Sequence, residues 1–355
     1  MKKEKKTKKK KSASKKKILK RIAIALGALI VILGAGAWYF LFSAMNDTGK
    51  TQYIYIDSDD NIDSVYTKVA AVSKGRCMTG FKLLAGSGKY ASNIHKGRYA
   101  IDEKISAYRF YQKLKVGEQT PLNVTVPSVR TLEVLAGRVT KKLEMDSVTL
   151  LNALSDPSIC AKYGTDTANV IGLFLPETYS MNWDVTAEEL ISRMKKESDK
   201  YWTDERKSQA QAQGLTPAEA VTLASIVAEE TNNKEEKPSV AGLYLNRLKI
   251  NMLLQADPTV KYALKNFGAK RVLNSMLTVD NPYNTYKYAG LPPGPIRNPE
   301  RVNIDAVLSP AQHEYLYMCA KETFDGTHNF AKTMAEHQAN ARRYTQALNE
   351  RGIKK

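Results

Sequence analysis

Glu229 and Glu230 close a run, TPAEAVTLASIVAEET from Thr216 to Thr231, whose spacing could make one of them a general acid. Thr216-Pro217-Ala218-Glu219 has the residue types of a helix start. Thr stands at the N-cap, Pro at the first helical position, and Glu three after the cap to complete a capping box. Downstream, Leu223, Ile226, Val227 and Glu230 recur at i, i+3, i+4 and i+7, which is one helical face. Glu230 therefore falls on the apolar stripe, whereas Glu229 shares the polar side with Thr222 and Ser225. Burial disfavours an ionised carboxyl and raises its pKa. A carboxylic acid that stays protonated near neutral pH can deliver a proton to a leaving group. The competing reading is that the last turn of the helix emerges into solvent, where Glu230 is an ordinary surface residue.

A second constellation lies downstream. Asn281-Pro282-Tyr283-Asn284-Thr285-Tyr286-Lys287-Tyr288 carries three tyrosines and two side-chain amides in eight residues. Tyrosine faces stack on the apolar faces of sugar rings, and amides bond hydroxyl and acetamido groups; such walls with a few placed polar groups suit ligand sites in general. A turn with surface tyrosines explains the same residues. The following Gly290-Leu291-Pro292-Pro293-Gly294-Pro295 reads as a rigid loop, because each Pro fixes its φ. His95, His313, His328 and His337 show no H-x-x-x-H or Cys/His spacing, so neither a metal nor another cofactor is expected. No Walker loop, G-x-S-x-G elbow or G-x-G-x-x-G after a strand is present.

The elements that must position these residues begin beyond a membrane signal. Residues 1–21 hold thirteen Lys/Arg and one Glu, so they supply twelve of the eighteen net positive charges. The remainder is only mildly basic, and the overall charge does not argue for nucleic-acid binding. The lysine run reads as a solvated, disordered tail. Ile22 to Ala44 then runs 23 residues without a charge and ends in Trp38-Tyr39-Phe40-Leu41-Phe42. That length crosses a hydrocarbon core of roughly 30 Å, with aromatics at the far interface. A cleavable signal peptide would have a shorter apolar region, and more membrane-depth residues follow the Ala35-Gly36-Ala37 site. An uncleaved single-pass anchor of the cytoplasmic membrane is expected, with residues 1–21 in the cytoplasm and the rest outside. Cys77, Cys160 and Cys319 are odd in number and far apart, so one disulfide or three buried thiols both remain open.

Beyond the anchor the chain has the length of two domains. Over residues 50–125 short mixed elements describe a small α+β unit. Its strands are Gln52–Ile56, Gly97–Ile101 and Leu122–Val126, and its helices are Asn61–Val72 and one capped by Ser106. From Thr131 the pattern turns helical, over 131–143, 147–155, 186–202 and 204–213. Further helix starts are expected at Asp257-Pro258, Asn298-Pro299 and Thr333-Met334-Ala335-Glu336, and a late strand pair at 315–320 and 328–331.

Across roughly 170–345 the chain resembles the endolytic murein transglycosylases (the MltG/YceG-like family). The resemblance is carried, in order, by Ile171-Gly172-Leu173-Phe174-Leu175-Pro176-Glu177-Thr178-Tyr179, Ala224–Thr231, Val240–Leu248 and Leu254-Gln255-Ala256-Asp257-Pro258-Thr259-Val260. Tyr283–Tyr286, Gly290–Ile296, and Gly326-Thr327-His328-Asn329-Phe330 with His337 complete it. The family layout implies an α+β protein with a single transmembrane helix over 22–44. A small LysM-like domain follows over 50–125, and a larger, mainly helical catalytic domain over 126–355. Family members often show Glu-x-Glu-Thr on the central helix; here Ala228 fills the first position, which leaves Glu230 before Thr as the implied catalytic residue. Ser128-Val129 stands where Glu-Gly is common.

The implied reaction is cleavage of the β-1,4 bond between N-acetylmuramic acid and N-acetylglucosamine within a glycan strand, leaving a 1,6-anhydro end. One carboxyl suffices, because the sugar's own C6 hydroxyl replaces the water that most glycosidases activate with a second carboxylate. Asn246, Gln255, Tyr283, Asn284 and Tyr286 are expected to position the sugars, with Asp257 mainly an N-cap and Glu177 a subsite or structural residue. Peptidoglycan strands are the expected partner, and membrane-bound peptidoglycan synthases are candidate neighbours. A lysozyme-like hydrolase and a non-catalytic wall-binding scaffold are the alternatives.

Overall fold

The computed structural model describes residues 2–87, 89–269 and 271–352. It divides into two compact units. The first extends to Leu122 and takes back Asn182–Asp184; the second holds Asn123–Met181 and continues from Val185.

The first unit begins with α1 (Lys2–Ala37), which passes into a π-helical turn, Trp38–Phe42. The basic tail is thus helical rather than disordered. Its residues are mostly lysine, a good helix former, and no Gly or Pro interrupts it before Gly27. Ser14–Phe42 is long and apolar enough to span a membrane. Then follow β1 (Gln52–Ile56), α2 (Ile62–Ala70), α3 (Gly75–Ser87), β2 (Gly97–Ile101) and α4 (Ala107–Val116). The two strands pair antiparallel, Gln52 opposite Ile101 and Ile56 opposite Gly97. Asn61 and Ser64 form a capping box on α2, Ser106 caps α4, and Gly117 ends α4 at φ 70°, a conformation natural to glycine. Ile54, Ile56, Val65, Val69, Phe81 and Phe110 meet in the core. The returning segment sets Trp183 against Tyr55, ring centroids 5.1 Å apart, and Asp184 accepts from Gln119.

The second unit contains β3 (Leu122–Val126), α5 (Leu132–Val139), α6 (Ser147–Ser155), α7 (Pro157–Lys162) and β4 (Glu177–Met181). After these come α8 (Ala187–Tyr201), α9 (Asp204–Ala212), α10 (Pro217–Glu230), α11 (Lys237–Lys249) and α12 (Asp257–Ala263). The chain ends with α13 (Arg301–Leu308), β5 (Tyr317–Ala320), β6 (His328–Ala331) and α14 (Met334–Glu350). β3 pairs with β4, and β5 runs antiparallel to β6.

Helix α10 is the axis of this unit, packed by α9, α11, α12 and α13. Every residue from Ala220 to Ala228 is buried. This corrects the expectation of a polar outer side, since Thr222 and Ser225 are as buried as the apolar stripe. They are tolerated because their hydroxyls are paired. Thr222 donates to the Ala218 carbonyl, and Ser225 donates to the Thr222 carbonyl while accepting from the Ile296 amide. Two expected caps are also corrected. Asn298 precedes α13 without capping it, because its amide reaches the carbonyls of Pro127 and Phe174 and its oxygen accepts from Val129 N–H. Asp257 is the first residue of α12, behind Ala256 at the N-cap position, and caps nothing.

Candidate active site

The capping box predicted at Thr216 forms, with Glu219 accepting from the Thr216 amide at 2.7 Å, and fixes the start of α10. Its other end is set by Thr231, which leaves the helix in an extended conformation and is held by the buried Lys237, whose Nζ donates to the Thr231 carbonyl at 2.7 Å. Between these fixtures the helix delivers two adjacent carboxylates to opposite environments.

Glu229 accepts two bonds from Arg130, from Nε at 2.7 Å and Nη2 at 2.8 Å, and a third from Arg297 at 2.9 Å. This is a bidentate charge-assisted pair reinforced by a second guanidinium. Arg297 is itself braced by Ser128, with Nε donating at 3.0 Å. A recess lined by Arg130, Glu229, Pro258, Lys261, Tyr262 and Phe267 opens on this flank.

Among the described residues Glu230 has no such cation in contact. Its Oε1 accepts from the hydroxyl of Tyr244 at 2.7 Å, one helix away on α11. Burial pushes the Glu230 pKa up to about 7, and the charge of Asp257 adds to the rise. The Tyr244 bond and the fields of His328 and Arg247 oppose it without cancelling it. Tyr244 is buried, and burial next to the carboxylate holds its own phenol well above its usual range. Arg247, one turn further along α11, is buried too, and its donors go to the carbonyls of Leu316, Leu253 and Leu254 rather than to an acid. The carboxyl of Glu230 therefore feels a cation without pairing with it.

Two further groups complete the cluster. Tyr286 donates to Asp257 at 2.6 Å, and its phenol is shifted up, mainly by burial and then by that bond. His328 and Glu236 are bonded twice, through backbone N–H at 2.6 Å and Nδ1 at 2.9 Å. Among the described residues no group of His, Cys, Asp and Glu could hold a metal ion.

The sugar-positioning candidates separate. Tyr286 joins the cluster through Asp257. Gln255 keeps its side chain exposed on a backbone at φ 47°, strained for a non-glycine residue, and is pinned by its N–H to the Thr285 carbonyl at 3.0 Å. Asn284 is fully buried; its amide donates to the carbonyls of Leu277 and Val279, and its oxygen accepts from the Tyr286 amide. Asn246 donates to the His313 and Tyr315 carbonyls. Both asparagines are therefore engaged in holding loops. Tyr283 packs on Tyr262, with centroids 4.7 Å apart. Glu177 pairs with Arg301 at 2.6 Å on an exposed surface. The group that sequence reasoning missed is Tyr244. The signal was a tyrosine between the apolar residues of α11, since a buried tyrosine hydroxyl usually finds a partner.

The architecture and the site define a class. The model of the YceG-like family matches residues 54–343, and the chain belongs to that family. A Bacillus subtilis protein named endolytic murein transglycosylase is 30% identical over 279 residues, 74% of this chain and 76% of that protein. A protein of the same name from Streptococcus pneumoniae D39 is 26% identical over 91% of this chain, which spans 65% of the pneumococcal protein. A solved structure of a yceG-like protein from Listeria monocytogenes is similar with a TM-score of 0.55 at 26% identity, covering 82% of this chain and 99% of its own.

Proposed function

We propose that this protein is an endolytic peptidoglycan lytic transglycosylase with Glu230 as its acid and base. The observation that carries the assignment is a carboxyl held near neutral pKa by burial and oriented by the Tyr244 hydroxyl, at the end of a helix buried from Ala220 to Ala228. Protonated Glu230 donates to the glycosidic oxygen as the C1–O bond breaks, and the substrate's acetamido group stabilises the charge left at C1. The resulting carboxylate then takes the proton of the C6 hydroxyl as that oxygen bonds to C1. The 1,6-anhydro ring closes, no water is consumed, and Glu230 ends protonated as it began. The names and family of the relatives support the same substrate.

Gln255 and Tyr286 are the residues we assign to sugar contacts, with Tyr283 beside them. Asn246 and Asn284 shape the walls rather than touch the strand. The first unit, with strand, two helices and an antiparallel strand in that order, is read as LysM-like. The apolar N-terminal helix is read as a cytoplasmic-membrane anchor. The lysines lie inside by the positive-inside rule, and the chain beyond the span lies outside near emerging strands and the synthases that make them.

Asp257 keeps a second reading alive, because a nearby carboxylate is what a lysozyme-like hydrolase would use to activate water or attack the sugar. Digestion of purified sacculi followed by mass spectrometry separates the two. The anhydro product is lighter than the hydrolytic one by one water. Glu230→Gln is expected to abolish cleavage; undiminished strand cleavage by that variant would remove Glu230 from the mechanism, and no cleavage by the wild type would leave the scaffold reading.

A further inference from the structure

The membrane helix does not lead into a flexible tether. Phe42 ends the π-helical turn, and Met45, three residues on, is already fully buried in the core of the first unit. Met45 exchanges backbone bonds with Ile105 and Lys74, and its neighbours bridge to Ser106 and Ser73. Helices α3 and α4 pack against the turn itself. Gly80 of α3 lies so close to Phe40 that a Cβ would strike the Phe40 carbonyl and the Leu41 side chain. Tyr108 of α4 packs on Phe42, with centroids 5.3 Å apart.

This contact fixes the depth of the two helices. The interfacial layer on each side of the hydrocarbon core is roughly 5–8 Å thick, about the rise of one to one and a half helical turns. A surface that touches residues 38–42 of a membrane-spanning helix therefore sits within that layer. Its composition suits the place. Arg76, Gly80 and Leu83 share one face of α3 at i, i+4 and i+7. Leu83 is 68% exposed on that stripe, and the Arg76 guanidinium lies 5.0 Å from the centre of the Tyr39 ring. Helix α3 carries Arg76 and Lys82, α4 carries Arg109, Lys113 and Lys115, and neither helix contains a carboxylate. Only Lys113 has an ion-pair partner among the described residues, Asp102 at 4.0 Å. The Arg76 Nε is buried without an acceptor.

We propose that the α3–α4 face lies against the outer-leaflet headgroups and binds anionic phospholipid. The inference rests on the anchor reading above. Cations next to a negatively charged leaflet are attracted within a Debye length, and exposed apolar and aromatic side chains favour the headgroup boundary.

The test uses the full chain reconstituted into phosphatidylcholine vesicles with and without phosphatidylglycerol. Lysine acylation rates are read by peptide mass spectrometry, with exposed Lys249 of α11 as internal reference. Lys82 and Lys115 are expected to react about fivefold more slowly in the anionic vesicles, and about 0.5 M salt to remove most of the difference. Equal rates in the two vesicles, with the chain resistant to carbonate extraction, would overturn the lipid face and leave the anchor intact. A chain that carbonate strips from both vesicles would overturn both. Equal protection by inorganic phosphate in detergent would assign the cations to a phosphate site and overturn the surface.

Discussion

Adjacent positions on one helix give Glu229 and Glu230 opposite chemistry, because neighbours on a helix point about 100° apart. Glu229 meets two guanidinium groups, whereas Glu230 meets a phenol and a desolvated wall. The proton affinity of Glu230 has a cost that can be measured. Its folded pKa, about 7, lies above the ordinary 4.5, so the folded state holds this proton more tightly than the unfolded chain. The stability that this contributes is fully present below the unfolded value and lost as pH rises through the folded one. Urea titrations of wild type and Glu230→Gln should therefore diverge with pH, the wild type losing roughly 3 kcal/mol more between about pH 4 and 8. Parallel curves would show that the carboxyl is not desolvated. Tyr244→Phe removes the bond that favours the carboxylate while keeping the ring. The alkaline limb of the activity profile should then move to higher pH, with stability lower by about 1 kcal/mol. A profile that only scales down would make Tyr244 a packing residue. The stripe containing Glu230 was legible because it is local. Tyr244, Arg247 and His328 were not, since their approach to Glu230 depends on how α11 and β6 pack, which no short-range spacing encodes.

At the scale of elements, the helices that carry their own N-caps were readable to within a residue or two: Asn61, Ser106, Thr186, Thr216 and Thr333 all bond the backbone they precede. Helix α3 starts at a glycine and holds two more, so nothing local announced it; its burial of Phe81 and Ala85 against the first unit's core supplies what propensity lacks. Asp257 and Asn298 failed as caps for the converse reason. A side chain that can cap can also bond something more distant, and both were taken by tertiary partners, Asp257 by Tyr286 and Asn298 by the Pro127 and Phe174 carbonyls. Helix α11 shows how closely the elements around the acid must fit. Gly242, two residues before Tyr244, faces the Ala311 carbonyl, which a Cβ would approach to 2.6 Å, and the His313 ring at 2.9 Å. Gly242→Ala should push α11 off this segment and cost about 1–3 kcal/mol, a fall in Tm of several degrees. If the fit of α11 to α10 also positions Tyr244, activity at the pH optimum should fall further than the loss of folded protein explains. A variant with wild-type Tm would mean that the 311–313 segment yields freely.

Across the whole molecule, charge, thiols and anchor fit a protein that works at a membrane surface. Twelve of its eighteen net charges precede Ile22, ahead of the span. Cys77, Cys160 and Cys319 are all free; Cys160 is buried with its thiol donating to the Leu154 carbonyl, and burial raises the thiol pKa of both Cys160 and Cys319. Little thiolate of either of these two is available for oxidation. Alkylation in denaturant without reductant should therefore add three labels per chain, and fewer would reveal a disulfide. The anchor makes the larger prediction. A catalytic unit in solution samples the whole wall, whereas one joined to a bilayer span is concentrated where strands emerge from membrane-bound polymerases. Limiting nascent strand length then needs the span as well as the acid. In a strain lacking the protein, glycan strands released by amidase and resolved by chromatography should be longer than in the parent. The intact chain should restore them. A secreted form without residues 1–44 that cleaves purified sacculi as fast as the intact chain should not, and full restoration by that form would separate strand-length control from tethering.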